Sequence, residues 1–275
     1  MTTPTIPNQR LSRPLRIWIG AEVIFGVMSL ATISLTPANT AQHFSWVIKP
    51  VVTAALLGGF YIGAASFYVL ALFARRWENV RVFIIASILF SSMELITTFL
   101  HWDRFLVGTT PFNVWFVSYL LPPPLFIAFY FWHQQRAAPI PMKSDEPLPS
   151  NLRLGMRVLG APLVLLALIA FILPATAIAI APWPFTPLTM RALSGWVLAL
   201  GVLLLSAAYE NDRTRCRIIS PFFVVLLPAI ALEVWRYSEQ VNWSHPTVYI
   251  ALVVLALIFA IGVFLVRGDW RRTMT

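Results

Sequence analysis

Eight apolar stretches of about 20 residues recur along this chain, at about 17–36, 50–73, 83–100, 112–132, 158–181, 188–208, 218–236 and 246–266. A helix of that length covers the ~30 Å hydrocarbon core of a bilayer. An open strand of the same residues would leave backbone N–H and C=O groups unpaired in lipid, so each stretch reads as a helix. Composition agrees. Of 275 residues, 59% are hydrophobic and 11% charged, where a soluble domain has roughly 45–50% and about 25%. An ordinary soluble enzyme and a disordered chain are both excluded, and the expected fold class is an all-α integral membrane protein with eight transmembrane helices.

The formal charge of +9 would suggest nucleic acid in a soluble protein. Here the cations sort to one side of the membrane instead. With the N-terminus inside, the inner segments hold Arg10, Arg13 and Arg16, then Arg75, Arg76 and Arg81, then Arg136, Lys143, Arg153 and Arg157. They continue with Arg213, Arg215 and Arg217, and close with Arg267, Arg271 and Arg272, leaving Lys49, Arg104, Arg191 and Arg236 outside. The positive-inside rule then predicts a multi-pass protein of a bacterial inner (cytoplasmic) membrane with both termini cytoplasmic. The first 17 residues are polar, and the apolar run after them is long enough to span rather than be cleaved, so no secretory signal is expected. Membrane lipids are the expected surroundings, and no nucleic acid is expected as a partner.

The stretch His133–Arg157 contains "AAPIPMKSDEPLPSN" and reads as a proline-rich linker between two halves. The halves look related. At an offset of 137, Arg16 matches Arg153, Pro37 matches Pro174, Trp46 matches Trp183, Pro50 matches Pro187 and Gly58 matches Gly195. Phe83 with Phe222 and Glu94 with Glu233 follow at 139, and Pro111 with Pro246 and Arg136 with Arg271 at 135. The expected organisation is a first four-helix repeat over 1–136, a cytoplasmic linker over 137–152 and a second four-helix repeat over 153–275. An even number of spans per unit makes the repeats parallel, with any pseudo-twofold along the membrane normal.

The segments "FSWVIKPVVTAALLGGFYIG", "LHWDRF", "APWPFTPLTMRALSGWVLALG" and "AAYENDRTR" resemble those of a family of uncharacterised bacterial multi-pass membrane proteins. That resemblance implies the eight-span topology and brings no activity, cofactor or catalytic residue.

Carboxylates inside spans are the first candidates for chemistry, because an ionised group in hydrocarbon costs roughly 2.5–3.5 kcal/mol on insertion scales and faces protein or water. Glu94 and Glu233 occupy equivalent positions of the two repeats. Glu233 has Arg236 on its own helical face, which points to a structural pair. Glu94 lacks such a cation and has His101, Asp103 and Arg104 beyond it, a set able to relay protons or bind a headgroup. Both glutamates also read as helix-to-helix ties. Glu22 is expected near the cytoplasmic end of its span, snorkelling or meeting Arg16 through water. Pro122, Pro123 and Pro124 must interrupt the fourth span, and Trp46, Trp102, Trp183 and Trp243 fit an aromatic belt.

No cofactor or metal is expected. The histidines His43, His101, His133 and His245 are scattered, Cys216 is alone, and no Walker loop, dinucleotide fingerprint, HExxH or GxSxG occurs. Three functional classes remain open. One is binding or transport of a small hydrophobic or amphipathic molecule at the inter-repeat interface, with Glu94, His101, Asp103, Arg104, Glu233 and Arg236 as candidate ligand-binding residues. The second is a scaffold or non-catalytic subunit with a membrane-protein partner. The third is a membrane-embedded lipid or isoprenoid enzyme with Glu94 as acid or base.

Overall fold

The computed structural model describes residues 10–137, 144, 146–268 and 270. Lys143, Arg271 and Arg272 lie outside the described residues. The helices in chain order are α1 (Arg13–Ile33), α2 (Thr40–His43), α3 (Val51–Ala71), α4 (Trp77–Leu100), α5 (Thr110–Leu120) and α6 (Pro122–Gln134). They continue as α7 (Ser150–Ile172), α8 (Pro174–Ala179), α9 (Pro187–Glu210), α10 (Arg213–Cys216), α11 (Ser220–Trp235) and α12 (Pro246–Val266). Eight stretches are long and apolar enough to cross a membrane, with α5–α6 forming one and α10–α11 another. Among the described residues, extended pairing is limited to two isolated bridges, Arg10 with Arg76 and Trp46 with Phe105.

Helix boundaries follow from capping and proline. Ser12, Thr109 and Thr186 each accept a hydrogen bond from the N–H three residues on, with proline in the first turn. This cap satisfies a donor the helix cannot, and proline sacrifices an N–H that had no helical partner. The Ser12 cap starts α1 four residues earlier than apolarity alone suggests, which moves Glu22 from near one end to the helix midpoint. The fifth span is likewise displaced from the expected 158–181. It runs over Ser150–Ile172, and Pro174 opens the separate short α8 because proline cannot continue the preceding helix.

Four helices form the centre of the bundle. α3, α4, α9 and α11 have half or more of their spans buried, whereas α1, α5–α6, α7 and α12 have a third or less. α4 packs on α9 and α3 on α11, while α1 leans on α3, α7 on α9, α6 on α4 and α12 on α11. Two tryptophans tie the central pairs together. The Trp46 indole N–H donates to Thr189 Oγ1 at 3.4 Å, and that of Trp183 donates to Thr53 Oγ1 at 2.9 Å. Trp46 is 2% exposed, so it is a core residue and not a member of the aromatic belt. Trp102 and Trp243 keep about two-fifths of their surface open, as a belt requires.

One end of the bundle is held by a buried ionic network. Arg81 grips Glu210 through two hydrogen bonds of 3.0 and 2.7 Å, and Arg215 donates to the same carboxylate at 2.5 Å. Asp212 caps α10 through Arg215 N–H and accepts from Ser144 at 3.0 Å. Glu146 takes Arg213 at 3.3 Å and Thr214 at 2.9 Å. The described part of the linker is therefore docked onto α10 rather than free. Arg81 is tolerated inside α4 because a carboxylate meets its planar fork edge-on.

Candidate functional site

The residues that line the bundle's deep chamber come from α1, α3, α4 and the α5–α6 junction, with α9 and α11 closing its back. Its volume is about 70 Å³. Glu22 reaches it from the middle of α1, and its Oε1 is buried with no hydrogen-bond partner. Arg16 is not its partner, since that guanidinium donates to the Ala74 carbonyl at 3.2 Å. Hydroxyls surround the chamber. Tyr61 and Tyr119 meet at 2.8 Å, as do Tyr68 and Ser87, and Ser91 bonds back to Ser87 O at 2.7 Å. Glu22 lies within electrostatic reach of Tyr68 and Tyr119. The apolar wall is aromatic, with Trp196 4.2 Å from Phe90 and 4.9 Å from Tyr61 between ring centroids.

The three prolines act here. α5 stops at Leu120 and α6 begins at Pro122, yet Leu121 keeps α-helical angles and its N–H donates to Val117 O, so the expected interruption is a loss of ladder donors rather than a break in the span. Prolines at 122, 123 and 124 have no N–H, which deprives the carbonyls of Ser118, Tyr119 and Leu120 of their helical donors. Ser118, Tyr119 and Pro122 all line the chamber. A second cavity of about 140 Å³ lies between α1 and α5 and shares Ser29 and Ser118 with the first. It extends through Thr32 and Trp115 to the exposed His43 and Thr110. The two cavities, chamber and vestibule, are neighbours that share Ser29 and Ser118 in their linings.

The residues singled out from sequence occupy other places. Glu94 is 1% exposed, and neither carboxylate oxygen has a hydrogen-bond partner. It faces α9 at Gly195, where a Cβ would lie 2.5 Å from its Oε1. Glu94 is within electrostatic reach of Tyr61 and Tyr119 but lines neither cavity. Glu233 pairs with Arg236 at 2.8 Å, and the same guanidinium donates to Ser34 O at 2.8 Å, tying α11 to the end of α1. The two glutamates thus sit on different seams, α4 against α9 and α11 against the α1–α3 side.

His101 accepts from Arg191 Nη1 at 2.7 Å with Asp103 and Arg104 within electrostatic reach, while Arg191 Nε donates to Phe171 O at 2.9 Å. Burial pushes the His101 imidazole below its ordinary pKa, and the Arg191 guanidinium acts in the same direction. Asp103 and Arg104 form a solvent-exposed pair at 3.0 Å, a contact of little energetic weight. Among the described residues no three His, Cys, Asp or Glu side chains gather as a metal set.

Sequence reasoning passed over Glu22 because its depth was misjudged. The available signals were the Ser12–Pro14 start of α1 and the absence of a cation one turn away from Glu22. The hydroxyl lining could not be read at all, since it converges from four separate helices. Comparison with protein-family models, curated proteins and solved structures finds no match to this chain.

Proposed function

We propose that this chain binds a small amphipathic molecule in the chamber and vestibule between α1, α3, α4 and α5–α6, and passes it across a bacterial cytoplasmic membrane. The observation that carries the reading is a cavity at mid-helix depth that holds an unpartnered carboxyl group and a ring of hydroxyls. Polar groups at that depth are expensive, and they mark ligand and ion pathways when they face a cavity. The proline run at the same place withholds three helix N–H donors, while the backbone keeps its helical course through Leu121. The vestibule supplies a route from the surface.

The frame for this function is a pair of parallel four-helix repeats, 1–136 and 153–275, joined by the 137–152 linker. The packing pairs support it, because each has a counterpart: α1 on α3 with α7 on α9, α4 on α9 with α11 on α3, and α6 on α4 with α12 on α11. The tryptophan bonds are reciprocal too. Trp46 and its match Trp183 each reach the third residue of the opposite half's central helix. The clustering of arginine at the Arg81–Glu210 end supports both termini on the cytoplasmic side.

Gly26 offers the test. It lines the chamber, and a Cβ there would meet nothing nearer than Ala65 Cβ at 4.0 Å. Gly26→Leu therefore places its Cβ with no contact closer than 4.0 Å, adds apolar bulk to the lining, and raises helix propensity by up to ~1 kcal/mol. Binding of 2-phenylethanol to the purified chain in nanodiscs, and its flux into proteoliposomes, should be lost while the melting temperature holds or rises. Binding that survives Gly26→Leu overturns the cavity as the site.

A further inference from the structure

We propose, on the reading above, that the molecule taken by this site carries a protonated amine, seated in the deep chamber against Glu22 with its apolar body in the vestibule. Size divides the roles. A cavity of roughly 150 Å³ accommodates a benzene ring. The vestibule, at about 140 Å³, is of that size, whereas the chamber, at about 70 Å³, takes a head group of a few heavy atoms. A one-ring molecule with a short polar arm fits the pair, ring outward and head inward.

The chemistry of the chamber decides the sign of the head. Glu22 is its acidic residue, and no lysine, arginine or histidine is among the described residues that line it. Its Oε1 has no donor. Pro122, which lines the chamber, brings no N–H donor to it. Tyr68 is bonded to Ser87, which donates to Phe83 O, whereas the Tyr61–Tyr119 pair shares one bond and keeps one hydroxyl proton. What the chamber lacks is a charged donor. An ammonium brings up to three N–H donors with a charge that offsets the carboxylate. A carboxylate head would meet Glu22 with no cation among the described lining residues to offset it, so it is rejected. A hydroxyl head brings a single donor and no charge, so it binds more weakly.

Three probes of matched shape test this: 2-phenylethylammonium, 2-phenylethanol and phenylacetate, each titrated into the full chain in nanodiscs at neutral pH. The expected result is at least about tenfold tighter binding of the amine than the alcohol, with no measurable binding of phenylacetate. Glu22→Gln should erase the gap between amine and alcohol while alcohol binding persists, which also reports that the variant is folded. Should Glu22→Gln lose both probes, Glu22→Asp decides, since it restores the charge and with it the amine preference. Equal affinity for amine and alcohol in the unaltered chain overturns the cationic ligand and leaves the cavity reading intact. An amine preference that persists in Glu22→Gln, or is absent from Glu22→Asp, overturns the role of Glu22. Failure of all three probes to bind overturns the cavity reading together with this one.

Discussion

A close crossing of α7 and α9 puts two glycines face to face, and adding one methyl group there should cost stability despite improving the propensity of the helix that carries it. A Cβ on Gly201 of α9 would lie 2.8 Å from Gly160 O and 2.9 Å from Val164 N. A Cβ on Gly160 of α7 would lie 2.9 Å from Gly201 O. These are backbone atoms and cannot rotate away, so Gly201→Ala must open the α7–α9 seam by about 0.5 Å to reach ordinary contact distances of about 3.4 Å. A gap of that size forfeits roughly a quarter of each dispersion contact along the seam, and overpacking of this kind costs ~1–3 kcal/mol. The gain in helix propensity returns up to ~1 kcal/mol. The expected net loss is ~1–2 kcal/mol, measured by thermal or denaturant unfolding in detergent. Gly155→Ala on the same α7, where nothing lies within 4 Å, isolates the propensity effect and should stabilise. Because one opened seam accommodates both methyl groups, Gly160→Ala with Gly201→Ala should lose less than the sum of the two single changes. Stabilisation by Gly201→Ala, or strict additivity of the pair, would refute the close-packed seam as the reason for these glycines.

Arg81→Ala should lower stability by ~3–5 kcal/mol, because it leaves Glu210 buried with one cation fewer; a loss below ~1 kcal/mol in the same unfolding assay would count against the network. Glu94→Met should leave the melting temperature unchanged or raised, since both carboxyl oxygens are buried without partners, whereas Glu233→Met should lower it by stranding Arg236. The reverse order of the two melting changes would contradict that assignment. His101 contributes through its neutral form: its folded pKa is depressed, so the contribution is present above the ordinary value of about 6.5 and lost as pH falls below it. Melting temperature should therefore fall between pH 7.5 and 5.5 by more in the unaltered chain than in His101→Gln, and equal slopes would dismiss the His101–Arg191 contact as the cause.

Spans were readable from sequence because hydrophobic runs of bilayer length leave few alternatives, and the Glu233–Arg236 pair was readable because both residues share one helical turn. The rest depended on contacts between distant segments. Trp46 has the sequence look of an interfacial anchor, and it is buried by Phe44, Phe105 and Trp115. The linker looks like a free proline-rich tether, yet Ser144 and Glu146 are bound by Asp212, Arg213 and Thr214 more than 60 positions away. Glu22 shows the limit most clearly. A four-residue error in where α1 begins changed it from an interfacial group into a mid-helix one, and periodicity cannot resolve that error when the whole helix is apolar.

The proposed duplication sharpens the case for a specialised first half. At the offsets that relate the halves, Glu22 matches Leu159, Ser29 matches Leu166, Tyr61 matches Leu198 and Tyr68 matches Leu205. Ser87 matches Leu226, Ser91 matches Ile230, Ser118 matches Val253 and Tyr119 matches Val254. Each residue that brings a carboxyl or hydroxyl group to the chamber is thus matched by an aliphatic one, and the three prolines are matched by Leu257, Ile258 and Phe259. The positions that hold the frame behave differently: Trp46 with Trp183 and Gly58 with Gly195 keep their identity. Polar residues matched by apolar ones also occur away from the chamber, as Ser66 with Leu203, Ser92 with Ala231 and Asn113 with Val248 do, so the first half is the more polar one generally and the chamber draws on that difference. The carboxyl and hydroxyl groups of the proposed site therefore all come from the first half. Replacing Glu22, Ser87 and Ser91 together by their matches should then give a more stable chain that binds no amine.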